Sequence, residues 1–120
     1  MENDTLEVHY QPQCHADSHE IMAFEALLRW NDPQMGNIPP SRFIPVAEET
    51  GLINQVGEWV LRKACQEAAS WRKPLGIGVN LSAVQLQDLE LPNIVRRIVE
   101  QSGLDPRRLE LEVTETALIH

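Results

Sequence analysis

One apolar stretch constrains the fold of this chain most strongly, because it carries a glutamate in its middle. Residues Ile21–Trp30 are mostly large and apolar, and an Asn-Asp-Pro sequence typical of a turn follows them. This short run favours a buried strand over a helix, and in a strand Glu25, Leu27 and Arg29 share one face. Glu25 there loses hydration that only a metal ion, a cation or good hydrogen bonds can replace. From this strand alone, a structural ion pair and a ligand role for Glu25 both stay open.

The remaining periodicities predict an α/β fold. Further strands are predicted at Leu6–Pro12, Leu75–Ser82 and Leu109–Glu115. Helices are predicted at Ser41–Gly51, Ile53–Trp71 and Leu91–Gly103. Only residues 13–20 separate the first two strands, so these two strands are expected to pair antiparallel. The longer, helix-containing connections to the third and fourth predicted strands favour right-handed parallel crossovers.

Charge and hydropathy exclude several classes of protein. The formal net charge of -8 argues against a protein that grips a phosphate backbone with lysine and arginine, and an anionic ligand would need metal ions beside it. No apolar run is long enough to span a bilayer, and the N-terminus is acidic where a signal peptide is basic, so we expect a cytoplasmic protein. Cys14 and Cys65 lack metal-type spacing and are expected to be reduced thiols, the first in a loop and the second on a helix.

Oxygen-bearing side chains recur on the polar faces of three predicted strands. Asn80 and Ser82 lie on the third strand and Glu112 on the fourth, in addition to Glu25 on the second. Ligand sites of parallel α/β sheets lie at the carboxyl ends of the strands, near which we expect these residues. Carboxylate and amide oxygens suit magnesium, manganese or calcium better than a structural zinc, so this pattern favours a metal site over an ion pair.

Two other pairs of residues are weaker candidates. Glu48 and Glu49 are adjacent on a predicted helix, where neighbouring side chains point in different directions, so both are expected mainly at the surface. His15 and His19 lie in a polar turn without a third partner nearby, which indicates solvated histidines.

Five segments of the chain closely resemble, in order and spacing, the N-terminal half of the EAL domain. They are Tyr10-Gln11-Pro12, Glu25–Trp30, Phe43–Ile53, Asn80–Leu86 and Leu111–Glu115. The family consists of bacterial phosphodiesterases that hydrolyse cyclic dimeric GMP (c-di-GMP) to linear pGpG. The resemblance implies a modified TIM (β/α)8 barrel whose first strand runs antiparallel to the others. Residues 1–120 would then be a partial EAL domain, with four barrel strands and their helices.

The resemblance also implies a role for particular residues. Glu25, Asn80 and Glu112 match metal ligands, with Mg²⁺ or Mn²⁺ as the ion, and the two glutamates would thereby be catalytic. Gln11 and Arg29 match substrate contacts, Arg29 at a phosphate, and Glu115 matches a glutamate that anchors an active-site loop. The implied chemistry is two-metal phosphodiester hydrolysis.

The second-half motifs of the family are absent from this sequence. They comprise an Asp-Asp-Phe-Gly motif, a lysine that positions the attacking water and a further glutamate, and a complete barrel needs roughly 250 residues. We therefore expect this chain alone to bind metal weakly and to hydrolyse little or nothing. Three interpretations stay open: part of a phosphodiesterase, a non-catalytic c-di-GMP-binding or partner-docking module, or a half-barrel that forms a homo-oligomer through its exposed strand edges.

Overall fold

The computed structural model describes residues 6–113, which form a mixed sheet covered by helices. The strands are β1 (Leu6–Cys14), β2 (Ile21–Asp32), β3 (Gly36–Ile38), β4 (Gly76–Leu81) and β5 (Leu109–Val113). The helices are α1 (Pro40–Thr50), α2 (Leu52–Ala69), α3 (Ala83–Leu86) and α4 (Leu91–Ser102), with a 3₁₀ turn at Pro106–Arg108. Glu115 lies outside the described residues, so its role as a loop anchor stays a prediction.

The strand order is β1-β2-β4-β5, with β3 paired to the far end of β2. β1 is antiparallel to β2, whereas β4 is parallel to β2 and β5 is parallel to β4. This topology confirms the antiparallel first pair and both parallel crossovers. The reason is connection length, because residues 15–20 suffice only for a tight turn, while the later connections contain α1, α2 and α4.

The second strand is longer than the sequence predicted. It was expected to end at Trp30 but continues to Asp32, whose Oδ1 accepts the backbone N–H groups of Gln34 at 2.8 Å and Met35 at 3.1 Å. This tight turn brings β3 back beside the end of β2, with Gly36 at a φ of 76° that favours glycine. Three residues are too few to show strand alternation, so β3 was missed.

The core lies between one face of the sheet and helices α2 and α4. Ala64, Cys65 and Ala68 of α2 are fully buried, and their small side chains let this helix lie close to Ile77 and Val79 of β4. Cys65 is on a helix as predicted, whereas exposed Cys14 ends β1 instead of lying in a loop. Because the helices cover this face, the polar residues of the strands are left on the opposite face.

Arg108 ties the beginning of β5 to the end of α2. Its Nε donates to the carbonyl oxygen of Leu75 at 2.9 Å, and its Nη2 donates to that of Ala68 at 2.8 Å. The last carbonyl groups of a helix lack partners within the helix, and a cation there interacts favourably with the helix dipole.

No helix within residues 6–113 has the length and apolar character required to cross a membrane.

Candidate functional site

The polar face of the sheet brings together residues from four strands. Gln11 of β1 lies opposite Glu25 of β2, and Gly78 of β4 is the neighbour of Glu25 on the other side. One layer further along, Asn80 of β4 is paired with Glu112 of β5. The pairing register therefore places the two glutamates and the asparagine on one surface, as the alternation predicted.

Glu25 lies in the middle of β2, where the apolar stretch places it, and not near the carboxyl end, where the rule for ligand sites of parallel sheets places it. The continuation of β2 to Asp32, where it pairs with β3, adds to the distance of Glu25 from that end. Asn80, by contrast, is the penultimate residue of β4. The site therefore lies at the carboxyl end of β4 but beside the middle of β2.

A hydrogen bond joins Glu25 to Asn80 across the sheet. The Nδ2 of Asn80 donates to Oε2 of Glu25 at 2.9 Å, and both side chains are half-buried. Within residues 6–113, Glu25 forms no ion pair, and Arg29 donates from Nη1 to the carbonyl oxygen of Leu28 at 3.2 Å instead. Among the described residues the partner of Glu25 is thus a hydrogen-bond donor and not a cation, which argues against the structural ion pair.

Gly78 leaves the space that the carboxylate of Glu112 occupies. A Cβ atom at Gly78 would overlap Oε1 of Glu112, so only glycine permits this side-chain position. Glycine within a strand often marks such a close approach. Gly76 also lies on this face of β4, but the sequence alone does not show that Glu112 fills the space over Gly78.

The carboxylates on this face repel one another. Partial burial and then the nearby charges of Glu25 and Glu110 raise the pKa of Glu112 above its ordinary value. Two neighbouring carboxylates resist joint ionisation unless a cation offsets their charge. A divalent cation between them would provide that charge.

The donor set fits a hard divalent ion. Glu25 and Glu112 offer carboxylate oxygens and Asn80 offers an amide oxygen, the ligand types that Mg²⁺ and Mn²⁺ prefer. No group of three or more His, Cys, Asp and Glu side chains within residues 6–113 is arranged to hold a metal ion, so the third donor of this set has to be the amide. Three protein oxygens fill only half of an octahedral shell.

A cavity of about 420 Å³ adjoins Asn80. Arg29 lies on its wall together with Ser82, and Phe43 of α1 provides apolar surface. Glu48 also lines this cavity and is half-buried, so the prediction that it lies mainly at the surface was wrong. The reason is that α1 packs over the end of β2, which turns one side of that helix towards the cavity.

Gln11 takes a different place from the other candidates. Its side chain is exposed, and β1 has a strand partner on one side only within residues 6–113. Gln11 does not line the cavity that adjoins Arg29. Of the predicted substrate contacts, Gln11 thus lies beside Glu25 on β1, whereas Arg29 lies in the cavity wall with Asn80.

Comparison with known proteins adds a family to this geometry. A sequence model of the EAL domain matches residues 1–120. An uncharacterized signaling protein of Caulobacter vibrioides is 55% identical over 116 residues, which are 97% of this chain and 14% of that protein. The cyclic di-GMP phosphodiesterase NbdA of Pseudomonas aeruginosa is 42% identical over 124 residues, which cover 100% of this chain and 16% of that protein.

The solved structures agree with the sequence comparisons. The PaMucR phosphodiesterase in complex with c-di-GMP is similar with a TM-score of 0.88 at 45% identity, over 92% of this chain and 47% of that chain. This similarity confirms the predicted half of a modified TIM barrel with an antiparallel first strand. The chain spans about a sixth or less of the two relatives above and just under half of this phosphodiesterase structure.

Proposed function

The chain belongs to the EAL domain family, and we propose that it supplies part of the active site of a c-di-GMP phosphodiesterase. The observation that carries this proposal is the convergence of Glu25, Asn80 and Glu112 on the uncovered face of the sheet. The similarity to the cyclic di-GMP phosphodiesterase NbdA and to the c-di-GMP complex of PaMucR supports c-di-GMP as the substrate. The cytoplasmic location inferred from the sequence stays a prediction.

Glu25, Asn80 and Glu112 would hold Mg²⁺ or Mn²⁺. When bound, such ions activate a water molecule and offset charge on the phosphate during phosphodiester hydrolysis. The hydrogen bond from Nδ2 of Asn80 to Oε2 of Glu25 holds these two side chains beside each other. The space over Gly78 sets the position of the Glu112 carboxylate. These contacts give an arrangement that exists before a ligand arrives, which lowers the cost of binding.

Arg29 and Gln11 would contact the nucleotide. Arg29 lines the cavity beside Asn80, and within residues 6–113 its guanidinium group hydrogen-bonds only to the carbonyl oxygen of Leu28, so that group retains donors for a phosphate. Gln11 faces the same site from β1, across from Glu25. With three protein oxygens, we expect weak metal binding and little or no turnover by the 120-residue chain alone.

The test uses Mn²⁺ as a paramagnetic probe of the 120-residue chain. In ¹⁵N NMR spectra, Mn²⁺ should broaden the amide resonances around Glu25, Asn80 and Glu112 first, and Mg²⁺ should reverse the broadening. Glu25→Gln keeps the shape of the side chain but removes its charge, and it should abolish selective broadening. Glu100→Gln, on an exposed part of α4, should leave the broadening unchanged. Uniform broadening in the unmodified chain would refute the metal site.

Nucleotide binding is tested separately with c-di-GMP. Arg29→Ala should weaken binding of c-di-GMP while leaving selective Mn²⁺ broadening in place, and exposed Arg96→Ala serves as the control. Equal affinity of Arg29→Ala and the unmodified chain would remove the phosphate role. Conversion of c-di-GMP to pGpG by the chain alone, if abolished by Glu25→Ala, would contradict the expectation of little turnover. Binding without turnover in a longer protein would favour the non-catalytic module.

One observation favours self-association as a second property. Within residues 6–113, β5 pairs on one side only, and its Leu111 and Val113 are 36% and 37% exposed. A groove of about 360 Å³ lies beside Leu111 and is lined in part by Val95 and Val99 of α4. Such an edge is a template for association. Light scattering should show an oligomer that Leu111→Lys dissociates, whereas a monomer at all concentrations would exclude this property.

A further inference from the structure

Gln85 is a buried polar side chain next to the site. It is 5% exposed, and it is the sole buried polar residue within residues 6–113. Its Oε1 accepts the backbone N–H of Ser82 at 3.0 Å, and its own backbone N–H donates to Oγ of Ser82 at 3.4 Å. These reciprocal bonds form a capping box around the beginning of α3.

The side chain of Gln85 lies against a glycine of the neighbouring helix. A Cβ atom at Gly57 of α2 would overlap the side-chain amide of Gln85. Glycine in the interior of a helix is unfavourable, because it loses more conformational freedom on folding than other residues do. Its presence in α2 is explained by the room that it gives Gln85.

The contact lies two residues from a proposed metal ligand. Ser82 follows β4 directly, and Asn80 precedes the buried Leu81. Gln85, Gly57 and Asn80 all line the cavity beside the oxygen donors. The helix α3 is four residues long, so it cannot fix its own direction and needs an anchor outside itself.

We propose that Gln85, seated on Gly57, is a positioning residue that fixes the turn after β4 and so directs the amide of Asn80 towards Glu25. One consequence, that metal binding depends on Gln85, rests on the proposed function. The orientation of Asn80 itself is independent of any metal. Within residues 6–113, Gln85 forms no hydrogen bond to a proposed ligand of the metal, and it acts through the backbone of Ser82.

The first readout is the side-chain amide resonance pair of Asn80 in ¹⁵N NMR spectra of the 120-residue chain without metal. Gln85→Met removes the bond to Ser82 at similar volume, and Gly57→Ala pushes Gln85 from its place. Both should shift the Asn80 pair towards the value of a Glu25→Ala variant, which lacks the acceptor. Gln85→Glu keeps an acceptor for Ser82 and should restore the Asn80 shift, and Gln87→Met on the exposed end of α3 is the control.

The second readout is the affinity for Mn²⁺, measured by paramagnetic broadening. Gln85→Met and Gly57→Ala should lower this affinity about 10-fold, the size typical of residues that orient metal ligands. Circular dichroism establishes that each variant is folded. Should Gln85→Met not fold, the comparison of Gly57→Ala with Gln87→Met decides by the same criteria.

The outcomes separate the two proposals. An unmodified chain that binds no Mn²⁺ but shows the expected Asn80 shifts overturns the proposed metal site and supports the positioning role. An Asn80 resonance pair that is unchanged in folded Gln85→Met and Gly57→Ala overturns the positioning role, whatever the Mn²⁺ affinity. Shifts that occur equally in Gln87→Met also overturn it, because they would reflect α3 in general.

Discussion

Replacement of Gly78 by alanine should separate metal binding from stability. The added Cβ would overlap Oε1 of Glu112, the far end of a flexible side chain, while the nearest backbone atom, the carbonyl oxygen of Glu110, is 4.0 Å away. The carboxylate therefore has to leave its position, but the strand does not have to move. Gly76, on the same face of β4, provides the matched control, because its Cβ would lie 3.4 Å from Cβ of Ala23 and 3.5 Å from the carbonyl oxygen of Arg108.

The expected magnitudes follow from that geometry. A methyl group that fits a buried position contributes about 0.8 kcal/mol, and replacing glycine by alanine where the backbone permits it adds roughly 0.4–1 kcal/mol. Rotation of Glu112 away from its preferred position offsets about 0.5–1.5 kcal/mol of this gain. The free energy of unfolding should thus change by between about −0.3 and about +1.3 kcal/mol. Loss of one oxygen donor should lower the Mn²⁺ affinity at least about 10-fold, or about 1.4 kcal/mol.

Two measurements on each variant test this reasoning. Urea unfolding gives the free energy of unfolding, and Mn²⁺ broadening around Glu25 and Asn80 gives the relative affinity. Gly78→Ala should be less stable than Gly76→Ala by no more than about 1.5 kcal/mol, and it should bind Mn²⁺ more weakly. Unchanged Mn²⁺ affinity in Gly78→Ala would refute the assignment of Glu112 as a ligand held over the glycine. A large loss of stability would instead mean that the strand moves and Glu112 does not.

Two further predictions concern stability. Arg108→Ala should lower the free energy of unfolding, measured in urea, by roughly 2–3 kcal/mol, because it removes hydrogen bonds from a charged donor to two backbone carbonyl groups. The control Arg107→Ala removes an exposed ion pair with Asp105 and should change the free energy of unfolding little. Equal effects of the two substitutions would contradict the role of Arg108. Burial raises the pKa of the Cys65 thiol from 9.0 to about 11, so the folded state holds the proton more tightly than the unfolded state. The contribution of Cys65 to stability should therefore be constant below pH 9 and fall between pH 9 and pH 11, by roughly 2–3 kcal/mol. Cys65→Ala should reduce this alkaline slope, and an unchanged slope would assign it to other groups.

Periodicity was sufficient to predict the elements that bury an apolar face. The alternation of Ile21–Trp30 and the three-and-four spacing of α2 arise because each element buries one side. Apolar residues therefore recur at regular intervals along the whole element. Connection length then determined strand direction. The hairpin formed by β2 and β3 was missed because hydrogen bonds from the turn backbone to the side chain of Asp32 stabilise it. The sequence does not show whether an aspartate accepts such bonds or lies in solvent.

The site was predictable only to the level of faces. Alternation placed Glu25, Asn80 and Glu112 on one surface, but the hydrogen bond between Asn80 and Glu25 depends on the register between strands, which no single segment encodes. Glu48 was assigned to the surface because its own helix pattern says nothing about what packs beside it. Its place in the cavity wall follows from the docking of α1 on the end of β2.

Two glycines make room for two different functions of the same site. At Gly78 the missing side chain accommodates a proposed ligand, Glu112, which is half-buried and able to rotate, so alanine there should affect binding more than folding. At Gly57 the missing side chain accommodates Gln85, which is 5% exposed and hydrogen-bonded to Ser82 on both its backbone and its side chain. A displaced Gln85 loses these partners in a buried place, where an unsatisfied polar group is costly. Gly57→Ala should therefore affect folding and binding together. The ratio of the two effects distinguishes a residue that binds the ion from one that positions a ligand.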